Sequence, residues 1–378
     1  MRKFLLVVII CLSCIVAFQD KVFAKNISDK KIQKIVNNMT LDEKIGQLYM
    51  SPSSGDAAKM TNDIKKYNLG GIVLFGEDFS NQNADTMKQK DANFQNASKY
   101  GLFISTDQEG GIVSRLSTSP QLTNGRKFPS PQEVYKQSGM SGVVKEYSSV
   151  AEILRNLGIN WDFAPVADVS NDPNSFIYDR TLGQNYQLTA QYVSKVVPAI
   201  QKQQVAATVK HFPGYGSAGD THTGFASDGR SINEFRQNDF LPFKAGIKAK
   251  ADSVLVGHVV VNNLDATEPA SVSKPVHEIL RKELKFKGVI ITDDMGMGAL
   301  TSFAQKQHTN IDVMAIEAGN DMLLSNGYVD GIPAIKDAIK RGDISQKQID
   351  NSVKRILRLK AKLNIMKQLN FKKHSSIM

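Results

Sequence analysis

Residues 205–224 read VAATVKHFPGYGSAGDTHTG and divide into an apolar half and a polar half. The run 205–209 is apolar and rich in β-branched residues, which predicts a buried strand that ends before a Pro-Gly pair. The glycine-rich loop that follows carries a carboxylate, Asp220, two residues before an imidazole, His222. Such a pair can act as an acid/base group, because the carboxylate fixes the tautomer of the ring. The alternative is ordinary solvated polarity in a surface loop.

Short apolar runs recur along the rest of the chain, separated by segments with helical periodicity. Eight runs are found, at 47–50, 71–75, 102–106, 160–165, 205–209, 253–257, 289–292 and 321–324. The helical patterns are clearest at 86–97, 143–157, 188–203, 239–249, 276–284 and 310–318. Eight strands alternating with helices predict an α/β fold with a single (β/α)8 TIM-type barrel. A doubly wound open sheet is the alternative.

No linker, composition break or internal repeat divides the chain after residue 24, which predicts one catalytic domain over residues 25–378. A basic amphipathic helix over 346–363 ends this domain. A solvated outer face and an apolar inner stripe explain its pattern better than a membrane-binding segment does.

Polar residues follow the predicted strands at the positions where strands end. They are Asp107 after the third run, Asp162 and Asp168 around the fourth, Lys210 and His211 after the fifth, His258 after the sixth and Asp293 after the seventh. The carboxyl ends of barrel strands meet at one rim, and unpaired charges are costly in a core, so this pattern indicates an active site at that rim.

Two further segments pair a carboxylate with an arginine. TDQEGGIVSRL places Asp107 at a strand end with Arg115 beyond a Gly-Gly turn, and IYDRTLG offers Asp179 and Arg180. Either pair can hold sugar hydroxyls through charge-assisted hydrogen bonds, and either can equally be a salt bridge that closes a loop.

The segment ITDDMGMGAL runs from an apolar strand directly into two carboxylates, Asp293 and Asp294. A carboxylate at a strand end and a separate acid/base group on a loop are what double displacement at an anomeric carbon requires. The alternative is that the two carboxylates cap the following helix. Motifs for serine hydrolases, zinc peptidases and nucleotide binding are absent from the sequence, and no metal or cofactor is predicted.

The first 24 residues have the pattern of a secretory signal peptide. Basic residues precede an apolar run, and Val22, Phe23 and Ala24 form a small-residue cleavage site. Both cysteines, Cys11 and Cys14, lie in that run, and acylation of Cys14 is an alternative. The prediction is a secreted or cell-wall associated protein without stable membrane insertion. The net charge of +10 suits an anionic cell wall, and no nucleic-acid motif supports the other usual partner of basic proteins.

Taken together, the motifs resemble glycoside hydrolase family 3, in particular its bacterial β-N-acetylhexosaminidases that act on peptidoglycan fragments. The matching segments are DQEGG with Arg115, FAPVADV (163–169), DRTLG (179–183), KHFPG (210–214), Asp220-Thr221-His222 and DDM (293–295). The resemblance implies Asp293 as nucleophile, His222 as acid/base and Asp220 as its partner. It also implies sugar contacts from Asp107, Arg115, Arg180, Lys210 and His211.

The resemblance further implies a retaining mechanism that removes terminal non-reducing N-acetylglucosamine, with no metal or cofactor. This chain departs from the family pattern at Tyr215, where a second histidine is usual, and at Phe225 and Ala226, where Leu-Pro is common. The β-glucosidases and β-xylosidases of the same family are the alternative, as is a catalytically weak wall-binding barrel. The preferred aglycone, and whether phosphate replaces water as acceptor, stay open.

Overall fold

The protein is described by a computed structural model that covers residues 27–53, 55–216, 218–307 and 310–367. The predicted signal peptide, residues 1–24, lies outside the described residues.

Eight strands form one all-parallel sheet. They are β1 Tyr49–Pro52, β2 Gly71–Leu74, β3 Phe103–Thr106, β4 Trp161–Asp162, β5 Ala206–Phe212, β6 Ser253–Val256, β7 Val289–Thr292 and β8 Leu323–Leu324. The strand order is β7-β6-β5-β4-β3-β2-β1-β8. A parallel bridge between Ile291 and Met322 joins the two ends of this order. The predicted α/β class is therefore confirmed, and the eight-stranded parallel barrel is consistent with the TIM type rather than with an open sheet.

Helices surround the barrel. They are α1 Asp29–Asn38, α2 Leu41–Gly46, α3 Ala57–Tyr67, α4 Gly76–Phe79, α5 Ala84–Ala97, α6 Pro120–Thr123, α7 Pro131–Leu157, α8 Tyr186–Lys202, α9 Ile232–Gln237, α10 Phe240–Lys248, α11 Lys274–Glu278, α12 Gly298–Gln307, α13 Ile311–Ala318, α14 Tyr328–Arg341 and α15 Gln346–Lys362. Each helical pattern found in the sequence falls on one of these, although 276–284 divides into α11 and a π-helical turn, Ile279–Glu283. In the described part of the chain, no helix is long and apolar enough to span a membrane.

The predicted bounds of four strands were wrong by two residues or more. The fourth, predicted at 160–165, spans only Trp161–Asp162. The first strand was predicted at 47–50 but begins at Tyr49, because Gln47 closes α2 and its side-chain amide donates to the Asn68 carbonyl at 2.7 Å. The eighth was predicted from Asp321, whose buried carboxylate instead pairs with two arginines before the strand. The fifth continues three residues beyond its predicted end, to Phe212, because its polar side chains find partners at the barrel mouth.

The final helix, α15, has the apolar inner face that its sequence predicts. Ile349, Val353 and Ile356 are fully buried against the main core. Lys360, also fully buried, donates to the Gln47 side chain and to the Gly101 carbonyl, both at 2.7 Å. The helix thereby packs on the barrel wall and leaves Lys347, Arg358 and Lys362 exposed.

A buried carboxyl on α5 makes stability depend on pH. Asp91 is 1% exposed, and neither of its oxygens has a hydrogen-bond partner among the described residues. Burial raises the pKa of Asp91 to about 8. The folded protein therefore holds a proton that the unfolded chain releases near pH 4, and this contribution to stability is lost as pH rises from about 4 to about 8.

Asp91→Asn should therefore stabilise the protein in alkaline solution, because the amide has no ionised form to desolvate. We expect the variant and the natural chain to melt at similar temperatures near pH 4, with the advantage of the variant growing up to pH 8. Thermal denaturation across this range measures the difference. Asp85→Asn, an exposed change on the same helix, is the control and should show no such trend. A pH-independent difference for Asp91→Asn would contradict the account.

Candidate active site

The parallel strands bring the predicted polar residues to one end of the barrel. Asp107 follows β3, Lys210 and His211 lie near the end of β5, and Asp293 follows β7. His258 comes two residues after β6. Since all eight strands run in the same direction, these positions share the carboxyl-terminal rim, as the sequence predicted.

Lys210 is the centre of a buried ionic cluster. The residue is 1% exposed, and its ammonium lies 2.7 Å from Asp107 Oδ1 and 2.6 Å from Glu109 Oε1. The guanidinium of Arg180 donates to both oxygens of Glu109, from Nε at 2.9 Å and from Nη2 at 2.8 Å. Glu109 thus bridges the two cations and holds them in fixed positions at the carboxyl-terminal rim.

Each ionic partner keeps the others charged. Burial alone would raise the pKa of Glu109, but Arg180 and Lys210 hold it below its usual value. Burial would lower the pKa of Lys210, but the carboxylates of Asp107 and Glu109 raise it instead. The cluster therefore offers permanent positive donors, rather than a titrating acid or base, to whatever occupies the pocket.

His211 is held by contacts on both ring nitrogens. Its Nδ1 lies 2.7 Å from Asp168 Oδ2, and its Nε2 lies 3.1 Å from Arg180 Nη2. The backbone amide of His211 donates to the same oxygen of Asp168 at 3.1 Å, and the amide of Tyr215 donates to Asp168 Oδ1 at 2.9 Å. Asp168 thus fixes the ring and the turn that follows it.

Asp107 and Arg115 form an ion pair and also reach solvent. Arg115 Nη2 lies 3.6 Å from Asp107 Oδ2, and the two side chains are 30% and 16% exposed. The guanidinium of Arg115 also lies over the ring of Phe75, 5.5 Å from its centroid. Both interpretations of this pair are therefore compatible with the geometry, since a loop-closing salt bridge remains accessible to a ligand.

The DRTLG segment separates its two candidate residues. Arg180 is buried in the cluster, whereas Asp179 is exposed and outside it.

Asp162, at the end of β4, has a structural contact. Its carboxylate accepts the Gln108 amide at 3.0 Å, and burial raises its pKa well above the usual value. This contact holds the segment that carries Asp107 and Glu109.

The two carboxylates after β7 have different environments. Asp293 Oδ1 accepts the amide of Asp294 at 2.9 Å, and the Asp293 amide donates to the Val256 carbonyl at 2.8 Å. Asp294 instead accepts the Gly296 amide at 2.8 Å, which makes a local turn. Burial raises the pKa of Asp294. Asp294 therefore shapes the turn that leads towards α12, and Asp293 stays the candidate for contact with a ligand.

Asp293 is kept ionised by its surroundings. Burial would raise the pKa of Asp293. The neighbouring His211 and His258 rings, the Asp294 amide and Lys210 instead hold it below its usual value. His258 is buried, and its Nε2 donates to the Asp294 carbonyl at 2.9 Å while Nδ1 faces the Ser271 hydroxyl at 2.7 Å. His258 thus also orients the backbone of Asp294, the residue after the nucleophile candidate.

The Asp-Thr-His loop presents the predicted pair to solvent. His222 Nδ1 lies 2.6 Å from Asp220 Oδ1, and the backbone amide of His222 donates to the same oxygen at 2.9 Å. The His222 side chain is 54% exposed. With Nδ1 occupied, Nε2 is the nitrogen available to a ligand. Within the described residues, neither member of the pair hydrogen-bonds to the Lys210 cluster.

Thr221 attaches this loop to the rest of the site. Its carbonyl accepts the Ala299 amide at 3.2 Å, at the start of α12. The adjacent Gly298 permits this approach, since a Cβ there would lie 2.8 Å from the His222 carbonyl oxygen. The loop with His222 therefore rests on the helix that begins five residues after Asp293.

Tyr215, at the family's usual histidine position, joins the loop to the His211 side of the pocket. Its hydroxyl lies 2.6 Å from Thr221 Oγ1, and both side chains are buried. Its ring packs edge-on against His211, with 5.2 Å between centroids, and against Phe176 at 4.9 Å. Phe176 also meets the His222 ring, at 6.4 Å.

Sequence reasoning missed Glu109, and it did not predict that Asp168 holds His211 and the turn after it. Glu109 lies inside the DQEGG motif, two residues after Asp107, and Asp168 inside FAPVADV. The signal available in the sequence was that both carboxylates lie in motifs that follow predicted strands. Their partners are distant in sequence, so the pairing itself becomes visible only in the fold.

An all-parallel eight-stranded barrel with fixed cations and a buried carboxylate at its carboxyl-terminal rim defines an enzyme-type (β/α)8 protein. The chain matches the Glycosyl hydrolase family 3 N terminal domain over residues 40–359. The chain belongs to glycoside hydrolase family 3.

Similar proteins are known by sequence and by structure. Beta-hexosaminidase A of Pseudoalteromonas piscicida is 29% identical over 334 residues, which cover 79% of this chain and 54% of that protein. Beta-hexosaminidase of Xanthomonas oryzae pv. oryzae is 33% identical over 266 residues, or 68% of this chain and 76% of that one. A family 3 β-N-acetylglucosaminidase structure from Paenibacillus sp. str. FPU-7 has a TM-score of 0.79 at 29% identity, covering 90% of this chain and 66% of that chain. The chain thus spans about half the length of the Pseudoalteromonas relative.

Proposed function

We propose that this protein is a retaining, exo-acting β-N-acetylhexosaminidase that removes terminal non-reducing β-N-acetylglucosamine. The observation that carries the proposal is the division of the rim into two parts: an ionised Asp293 beside fixed cationic donors, and a separate Asp220–His222 pair on a loop. The names of the two bacterial relatives and of the Paenibacillus structure support the same activity.

In this proposal, the reaction proceeds in two displacements. An oxygen of Asp293 attacks the anomeric carbon while the glycosidic C–O bond breaks, and the leaving oxygen takes the proton from Nε2 of His222. His222 then removes a proton from water, whose oxygen attacks the same carbon and releases Asp293. Asp220 holds Nδ1 of the ring, so Nε2 alone meets the substrate. Each bond broken at the anomeric carbon is matched by one formed on its opposite face.

The ionic cluster is proposed to bind the sugar before the chemistry starts. Lys210 and Arg180 supply donors, and Asp107 supplies an acceptor, for the hydroxyl groups of the ring. The ring of His211, whose Nε2 accepts from Arg180 and whose Nδ1 is held by Asp168, lies beside the sugar. Arg115 lies at the more exposed edge of the same group, 3.6 Å from Asp107. Their positions are set by Glu109 and Asp168 before any ligand arrives, which lowers the entropy cost of orienting the sugar.

The proposed activity is tested by comparing substrates. Purified chain from residue 25 onward should hydrolyse 4-nitrophenyl β-N-acetylglucosaminide far faster than the matching β-glucoside and β-xyloside. Equal or reversed rates would favour the glucosidase or xylosidase alternative. Binding of N-acetylglucosamine oligomers without hydrolysis of any of the three would favour a catalytically weak wall-binding barrel.

We further propose that the enzyme is exported and acts on peptidoglycan-derived glycans at an anionic cell wall. The support is the signal pattern in residues 1–24 and the basic composition of the chain. Amino-terminal sequencing of the exported protein should begin near Lys25. An acylated Cys14 at the mature terminus would replace this proposal with membrane anchoring through lipid.

Tyr215→Phe should slow the proposed reaction through the acid/base loop and leave sugar binding nearly intact. The change leaves the buried Thr221 hydroxyl without its partner, and a hydrogen bond of this kind contributes about 0.5–1.5 kcal/mol. We expect kcat on a chitobioside to fall about 3- to 10-fold while KM changes little, since the Lys210 cluster is untouched.

A double-mutant cycle controls for general damage. Thr221→Val removes the other half of the same hydrogen bond, so the double variant should be little slower than either single variant. Fully additive losses would show that the two hydroxyls act independently and that Tyr215 does not hold the loop.

A further inference from the structure

An open groove lies at the opposite end of the barrel from the candidate active site. It has a volume of about 700 Å³ and lies beside the starts of β7 and β8, between α11 and α15. Phe286 and Lys287 precede β7 on its wall, and Gly319 and Asp321 precede β8. We call it the basal groove.

The basal groove is strongly basic. Seven lysines and arginines and three carboxylates line it. Of the carboxylates, Asp321 is buried and already shared by two arginines: Arg355 Nη1 lies 2.8 Å from Oδ1, and Arg281 pairs with Oδ2. The floor of the groove therefore carries a positive excess even where it holds a carboxylate.

Three lysines of the groove, Lys274, Lys287 and Lys347, are exposed to solvent and take no part in a salt bridge of the described residues. They come from three different segments, at the start of α11, before β7 and at the start of α15. Neither burial nor a salt bridge explains why these three lysines lie together. Their combined positive electrostatic field faces solvent.

The positive surface continues beyond this groove. A neighbouring cavity of about 170 Å³ shares Lys287, Arg355 and Arg358 with it and adds Lys362, which pairs with Asp252 on the same wall at 2.6 Å. Cations therefore follow one another along the base of the barrel, which suits an extended ligand with repeated charges better than a single small anion.

We propose that the basal groove binds a linear anionic polymer with closely spaced phosphate or carboxylate groups. The lysines and the accessible edges of the arginines contact the anionic groups, and released counterions favour binding. Because the groove and the catalytic rim lie at opposite ends of the strands, a bound polymer leaves the substrate pocket open. The enzyme can thus be retained on an anionic matrix while it turns over.

Binding to soluble polymers tests this site directly and does not depend on the proposed hydrolytic activity. Fluorescently labelled linear polyphosphate and poly-glutamate are titrated with the purified chain at several salt concentrations, with dextran as the uncharged reference. We expect binding that weakens steeply with salt for at least one polyanion. Preference for polyphosphate identifies phosphate as the recognised group, and equal binding identifies charge spacing alone; both outcomes require no binding to dextran.

The key variant is K274E/K287E/K347E, and its matched control is K88E/K145E/K195E. The control reverses the same number of exposed lysines that lack a salt bridge in the described part, on α5, α7 and α8. We expect the groove variant to bind at least about 10-fold more weakly than the control, since both have the same net charge. K274Q/K287Q/K347Q should fall between the natural chain and the charge reversal.

Equal weakening in both triple variants would overturn the proposal, because net charge alone would then explain binding. Unchanged binding in the groove variants would overturn it as well. Melting temperatures establish that each variant is folded. Hydrolysis of a small aryl glycoside in saturating polymer should keep its rate, and strong competitive inhibition would place the polymer at the catalytic rim instead.

Discussion

Asp293→Asn is expected to lower kcat/KM for an aryl β-N-acetylglucosaminide by about 10³-fold or more, the scale of losing a nucleophile. The amide keeps the shape of the side chain and can still accept the Asp294 amide, so the turn should survive. It cannot form the glycosyl-enzyme bond. Steady-state kinetics with enzyme free of natural-chain contamination measure the loss.

Asp294→Asn is the matched control, because it changes the neighbouring carboxylate in the same way. Its Oδ1 can still accept the Gly296 amide, which is the contact the structure assigns to it. We expect activity within a few-fold of the natural chain. A large loss in Asp294→Asn with little loss in Asp293→Asn would exchange the two roles.

His222→Ala should slow the hydrolysis of glycosides with poor leaving groups by about 10² to 10⁴, the usual contribution of positioned proton transfer. Aryl glycosides with acidic phenols barely need a proton on departure, so their glycosylation step should slow far less. A series of aryl leaving groups with increasing pKa, together with chitobiose, measures this divergence as a steeper dependence of rate on leaving-group pKa.

Two further variants separate the chemistry from the loop. Thr223→Ala alters the next exposed residue and should leave the series unchanged, while Asp220→Asn should reproduce part of the His222→Ala pattern because it weakens the hold on Nδ1. If His222→Ala slowed every substrate by one common factor, the loop would be structural and the proton donor would lie elsewhere on the rim.

The strands were predictable where both faces of the sheet are covered. Residues 289–292, Val-Ile-Ile-Thr, are entirely buried, and the predicted and observed strand agree. The fifth strand was cut short at Val209 because buried charges normally end a strand. Here Lys210 and His211 continue it, since Asp107 and Asp168 pair with them. Tertiary pairing of that kind is invisible in a local pattern.

The residues of the candidate site were likewise predictable only in part. Strand-end position was sufficient to find Asp107, Lys210, His211 and Asp293. It was not sufficient for Glu109, whose importance comes from Arg180, 71 positions later. Nor could spacing separate Asp179 from its neighbour; only burial does. The Tyr215–Thr221 contact joins two positions six apart across a folded loop, and no periodic pattern predicts it.

Covalent trapping tests the central claim most directly. A 5-fluoro N-acetylglucosaminyl fluoride slows both displacements but keeps a good leaving group, so a retaining enzyme accumulates the glycosyl-enzyme. After digestion and mass spectrometry, we expect one sugar on the peptide that contains residues 289–297, fragmenting to a label on Asp293. A label on Asp294, or turnover that inverts the anomeric carbon and leaves no label, would contradict the account.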